Sequence, residues 1–207
     1  FFAQGYCAAK DRLFQFELWR RQATGTVSEI LGSKELNRDI GARLFKFRGD
    51  LKAEFNHYHP RGQEIIAAFT DGINACVAEA LQQKEKLPLE FKLLNITPGL
   101  WTPEVVISRH QGLLGNITDE VVTGRQVATL GSSIVRQLEV FEPGEPLLDL
   151  ASPIKGERLF DDVIGVYDAF RKPVVFTPKD LVAYANPNDK EYKALALHDA
   201  HDFESVW

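Results

Sequence analysis

Apolar positions along this chain recur mostly at helical spacing. Ile65, Phe69, Ile73, Val77 and Leu81 fall every fourth residue and predict a helix over 61–83 with one apolar stripe. Leu13, Phe14, Phe16, Leu18 and Trp19 form a broad apolar face within 6–24, closed by Arg20 and Arg21, whose charges suit a helix C-terminus. Gly25 is the expected stop. Thr26 with Glu29 reads as a capping box opening a short helix that Gly32 ends. Residues 37–55, with Ile40, Leu44, Phe45, Phe47, Leu51 and Phe55, predict helix broken near Gly49. His57-Tyr58-His59-Pro60 is a turn before the 61–83 helix, and 84–99, with two prolines, is a connector containing one short turn.

Thr102-Pro103-Glu104 places a capping hydroxyl before a proline whose missing N–H costs nothing at a helix start. The helix it opens should run to about Leu114. After a break at Gly115-Asn116, another run covers 119–130. Gly131-Ser132-Ser133 reads as a helix end. Beyond Glu142 the prolines and glycines predict an extended stretch, followed by helix over 159–170. Val174-Val175-Phe176 reads as a single buried strand. Thr177-Pro178-Lys179-Asp180 opens a last short helix that Asn186-Pro187 ends, and the tail is polar. The fold class is therefore mainly α, divided into a helical region at 1–142 and an extended, short-helix segment at 143–207. Broadly apolar helices and a lone apolar run imply surfaces that another chain completes.

At 207 residues, with 44% hydrophobic and 26% charged positions, the chain is long enough to bury a core. No apolar run is long enough to span a bilayer as a helix, and a net charge of −5 argues against nucleic acid as a partner. There is no methionine, and initiator methionine is not normally removed from in front of a residue as large as Phe1. Proteolysis or a missing preceding stretch is expected at this end. Cys7 and Cys76 have neither metal nor redox spacing, and read as two buried thiols or, in an oxidising compartment, a pair.

Candidate chemistry within the chain is sparse. There is no Gly-x-Ser-x-Gly elbow for a serine triad. His198-Asp199-Ala200-His201-Asp202 has metal-compatible spacing, but a solvated tail is the simpler reading. Asn95-Ile96-Thr97 and Asn116-Ile117-Thr118 match the N-glycosylation pattern. Asp119-Glu120 sits at a helix start, where carboxylates compensate the dipole. As a calcium site the pair is incomplete, since calcium takes six to eight oxygens.

Four motifs occur together: Gly-Tyr-x-x-Ala-x-Asp-Arg-Leu-Phe-Gln-x-Glu at 5–17, Gly-Thr-Val-x-Glu-x-Leu-Gly at 25–32, Gly-Ile-Asn-Ala at 72–75 and Thr-Pro-x-x-Trp at 97–101. In this order they resemble the small (α) chain of the penicillin amidase family, over roughly residues 1–130. The resemblance implies half of a secreted or periplasmic amide hydrolase, made as one precursor and cut into two chains. The larger β chain completes an αββα N-terminal-nucleophile hydrolase fold. Its N-terminal serine attacks the amide carbonyl with its own α-amine as base, so no catalytic residue is expected here. The resemblance further implies that Glu120 is a ligand of a structural calcium ion, and that Leu114, Ile117 and Thr118 line the acyl pocket. The penicillin G acylases have a methionine at the first of these positions, an Arg-Phe pair after the asparagine and a longer loop before the glutamate. Leu114 and Asn116-Ile117-Thr118 point instead to an aliphatic acyl group. Expected substrates are small acylated amines or β-lactams. Acyl-homoserine lactones rank lower, because enzymes acting on them are usually less similar in the first helix. The alternative is a non-catalytic helical subunit or binding module in which Asp119-Glu120 only compensates a dipole.

Overall fold

The computed structural model describes residues 1–108, 116–141, 144 and 146–181. Among these there are eleven α-helices and no β-strand. They fall into two compact units, Phe1–Gln111 with Ala169–Trp207, and Gly112–Asp168.

The first unit begins with α1 (Phe2–Asp11) and α2 (Leu13–Thr24), where the apolar pattern had predicted one continuous helix. The break is a single residue: Arg12 leaves the helical region, at φ −137° and ψ 41°. The i→i−4 bonds resume at once, Phe16 donating to the Arg12 carbonyl, so the apolar face is re-aimed without being interrupted. Gly25 ends α2 in the left-handed conformation, φ 66°, as its position predicts.

The capping box expected at Thr26 and Glu29 does not form. In α3 (Ser28–Leu31) the Glu29 carboxylate turns back to Arg21 instead. The N–H groups of Val27 and Ser28, which have no partner within α3, are satisfied by Asp39, from α4 (Leu36–Phe45), at 2.9 and 2.8 Å. The cap is a residue from another helix, and so carries no local signature.

After the predicted break, α5 (Leu51–Tyr58) starts at Asp50, whose side chain accepts from Lys52 and Ala53 N–H. The His57–Pro60 stretch ends it in a turn, with His59 Nδ1 accepting the Arg61 N–H. The longest element, α6 (Gly62–Gln82), matches the predicted 61–83 helix. The connector holds a 3-10 turn and a six-residue helix, α7 (Leu89–Leu94), more structure than its prolines suggested. The next helix, α8, begins at Pro103 as expected and is described to Ser108.

The core of this unit gathers Ala9, Leu13, Phe16, Ile73, Val77, Phe91 and Trp101. Two glycines make it possible. A Cβ on Gly5 would overlap the Phe69 carbonyl oxygen, and one on Gly72 would overlap that of Phe2, so α1 and α6 meet backbone to backbone. A smaller cluster joins Val27 and Leu31 to Val174. Residues 173–177 are extended but pair with no strand. Only Val174 is buried, Phe176 is half-buried and Val175 points outward, so the expected buried strand is a strap with alternating burial. Arg38 fastens it. Its guanidinium donates to the carbonyls of Phe170, Lys172 and Pro173 while pairing with Glu35. Phe45 stacks on Phe170, and Lys34 bonds Asp180 at 2.7 Å. Thr177 and Asp180 form the capping box that starts the last described turn.

The second unit contains α9 (Asn116–Leu130) and α10 (Ser132–Leu138). The first of these starts three residues before the predicted 119. Gly131, at φ 81°, ends it and also starts α10, which the sequence did not announce. The expected 159–170 helix is a 3-10 turn at Gly156–Phe160, four bends and α11 (Gly165–Arg171). Arg125 holds the 3-10 turn by donating to the Leu159 carbonyl at 2.6 Å.

Candidate functional site

The motif residues that carry the family resemblance converge on the segment leading into α8. Glu17, on the inner face of α2, is fully buried and accepts four hydrogen bonds. Arg20 donates from Nε and Nη2 at 2.9 and 2.7 Å, Arg21 from Nε at 2.7 Å, and the Gly99 backbone N–H at 2.8 Å. The bond to Glu17 raises the pKa of the Arg20 guanidinium above its ordinary value. The Arg20 guanidinium lies so close over Gly99 that a Cβ there would come within 2.6 Å of it.

Two residues on, Asn74 of α6 closes a second clasp. Its Nδ2 donates to the Trp101 carbonyl at 2.9 Å and its Oδ1 accepts the Trp101 N–H at 2.8 Å. One side-chain amide thus satisfies both backbone groups of a buried residue that no helix serves. The Trp101 ring packs 5.1 Å from Phe16. Glu17 and Asn74 therefore pin 99–101 between α2 and α6, and fix where α8 starts. Sequence reasoning quoted both residues inside motifs without assigning them this work.

Of the expected acyl-pocket residues, Leu114 lies outside the described residues. Ile117 and Thr118 occupy the first turn of α9 and are half-buried. Asp119 and Glu120 follow on the exposed side of the same turn. No group of three or more metal-capable side chains occurs among the described residues. Adjacent carboxylates on a helix diverge by about 100°. Glu120 therefore suits one hard-oxygen ligand of a shared site, and the pair does not make a calcium site alone. The 198–202 histidine motif lies outside the described residues. Both cysteines are free: Cys7 is exposed, against the expectation of two buried thiols, and Cys76 is buried, which raises its thiol pKa.

Residues 1–144 match the penicillin amidase family model. The chain belongs to this family. A penicillin acylase 2 proenzyme of Pseudomonas sp. is 29% identical over 81% of the chain, and a penicillin G acylase of Escherichia coli is 32% identical over 56%. An acyl-homoserine lactone acylase of Pseudomonas aeruginosa aligns along 100% of the chain at 28% identity. The chain spans only 21, 14 and 26% of the lengths of these three relatives. A solved thermostable penicillin G acylase from Alcaligenes faecalis shares the fold, with a TM-score of 0.53 at 23% identity. The match covers 74% of this chain and 86% of the solved one. The helical architecture is thus shared with a solved chain of a penicillin G acylase.

Proposed function

We propose that the chain is the small subunit of an N-acyl amide hydrolase whose nucleophile, an N-terminal serine, lies on a larger chain cut from the same precursor. The carrying observation is the family match over residues 1–144. The coverages support the two-chain arrangement: the chain nearly fills one solved acylase chain, yet only a seventh to a quarter of the curated relatives, one of which is named a proenzyme. The larger chain supplies the two β layers of an αββα fold, the serine, its α-amine as general base and the oxyanion donors. This chain contributes Leu114, Ile117 and Thr118 to the acyl pocket and Glu120 to a structural calcium ion, in a secreted or periplasmic enzyme. No described helix is long and apolar enough to cross a membrane.

Aliphatic side chains in place of an aromatic gate favour a medium-chain acyl group, on an amine or a homoserine lactone, over phenylacetyl. Competing assays on the processed two-chain enzyme test this. Medium-chain acyl substrates should show the higher kcat/KM, and a clear phenylacetyl preference would reject the assignment of the pocket. Edman sequencing of the larger chain should return serine first.

A further inference from the structure

The helix α4 is built inside out. Its buried arc consists of Arg38, Asp39, Gly41 and Ala42, with Arg38 only 4% and Asp39 only 3% exposed. Leu36, Ile40 and Leu44, spaced i, i+4, i+8, form one stripe on the opposite side and are 51, 45 and 54% exposed. An isolated amphipathic helix would turn this stripe inward.

It cannot turn, because its polar side is committed. Asp39 caps α3, Arg38 collects the three strap carbonyls, and Arg43 donates twice to the Gly25 carbonyl, at 3.1 and 2.8 Å. Rotating α4 would strand a buried carboxylate and a buried guanidinium, each costing more than the apolar exposure it relieved. The outward stripe is a fixed feature of the first unit.

We propose that the Leu36–Ile40–Leu44 face is a docking surface for an apolar strip of the larger chain. This rests on the two-subunit reading above. The occupant follows from size. Relatives are about four to seven times the length spanned here, so most of the polypeptide made with this face lies outside the chain. A second copy is a poorer fit. Three half-exposed side chains fall far below the roughly 800 Å² per partner of a stable interface. A chain encoded in the same precursor needs no such area from one strip, since it meets the face at high effective concentration and covers other surface as well.

The test is cysteine footprinting on the full-length precursor after maturation. Ile40→Cys is introduced with Cys7→Ser, and the native protein is treated with a maleimide-polyethylene glycol probe, then again in urea. Size exclusion reports the mass of the native species. Labelling should be lost in a native complex that holds a larger second chain, and recovered in urea. Ready labelling of that same complex overturns the docking surface and leaves the two-chain reading standing. A native species without a larger chain overturns both, whether position 40 is labelled or is shielded by a second copy. A parallel Ile40→Asp precursor should yield less two-chain complex than the parent. An unchanged yield counts against the proposal.

Discussion

Glu17 shows how much one side chain can fix. Two guanidinium groups and a backbone N–H all depend on its carboxylate, and none of them has enough exposure to recover solvation easily. Breaking a buried ion pair by deleting one partner costs about 3–5 kcal/mol. Glu17→Ala should therefore lower the unfolding free energy of the mature enzyme by that order in urea titration, and Glu17→Gln, which keeps an acceptor for Gly99, by less. Asp180 offers a pH test. Burial alone would raise its carboxyl pKa, but the bonds from Lys34 and from Thr177 outweigh that and hold it below the ordinary carboxylate value. A depressed carboxylate stabilises the fold above its unfolded pKa, and that contribution fades as pH falls through the lower folded value. Strap amides near 174–181 should thus lose hydrogen-exchange protection as pH falls through and below the ordinary carboxylate range, and Lys34→Ala should move that loss to higher pH.

Elements whose start and stop signals are local were legible in the sequence. Gly25, Pro103 and the Thr177–Asp180 box each lie at the helix end they define. Elements ended or capped from a distance were not. The kink at Arg12 sits inside an unbroken apolar pattern, and the cap of α3 is eleven residues away from Ser28. The orientation of α4 was equally hidden, because periodicity identifies a stripe but not the side it faces. Close helix contact gives a sharp expectation here. Gly72→Ala places a methyl into the Phe2 carbonyl, so α1 and α6 must part. Overpacking of this kind costs about 1–3 kcal/mol, and the melting temperature of the mature enzyme should fall accordingly. The neighbouring Ala75, in the same motif, should tolerate serine with a smaller shift.

For the whole molecule, the motifs identified the family, while the site residues came from resemblance more than from any pattern of their own. Ile117, Thr118 and Glu120 are ordinary residues for the start of a helix, and under the proposed function a second chain would give them a common task. If Glu120 binds calcium, chelation should lower the melting temperature of the mature enzyme, and Glu120→Ala should remove most of the difference between chelated and calcium-loaded protein. Equal chelator sensitivity in both proteins would reject its role. The discontinuity of the first unit also dictates an order of events during synthesis. When the ribosome has released residues 1–168, the three carbonyls that receive Arg38 and the Val174 side chain have yet to emerge. A nascent chain at that point has Glu35 beside Arg38 but lacks the three carbonyls that complete the guanidinium's hydrogen bonds. Completion of the N-terminal half is thereby timed to the arrival of a short ribbon some 130 residues downstream.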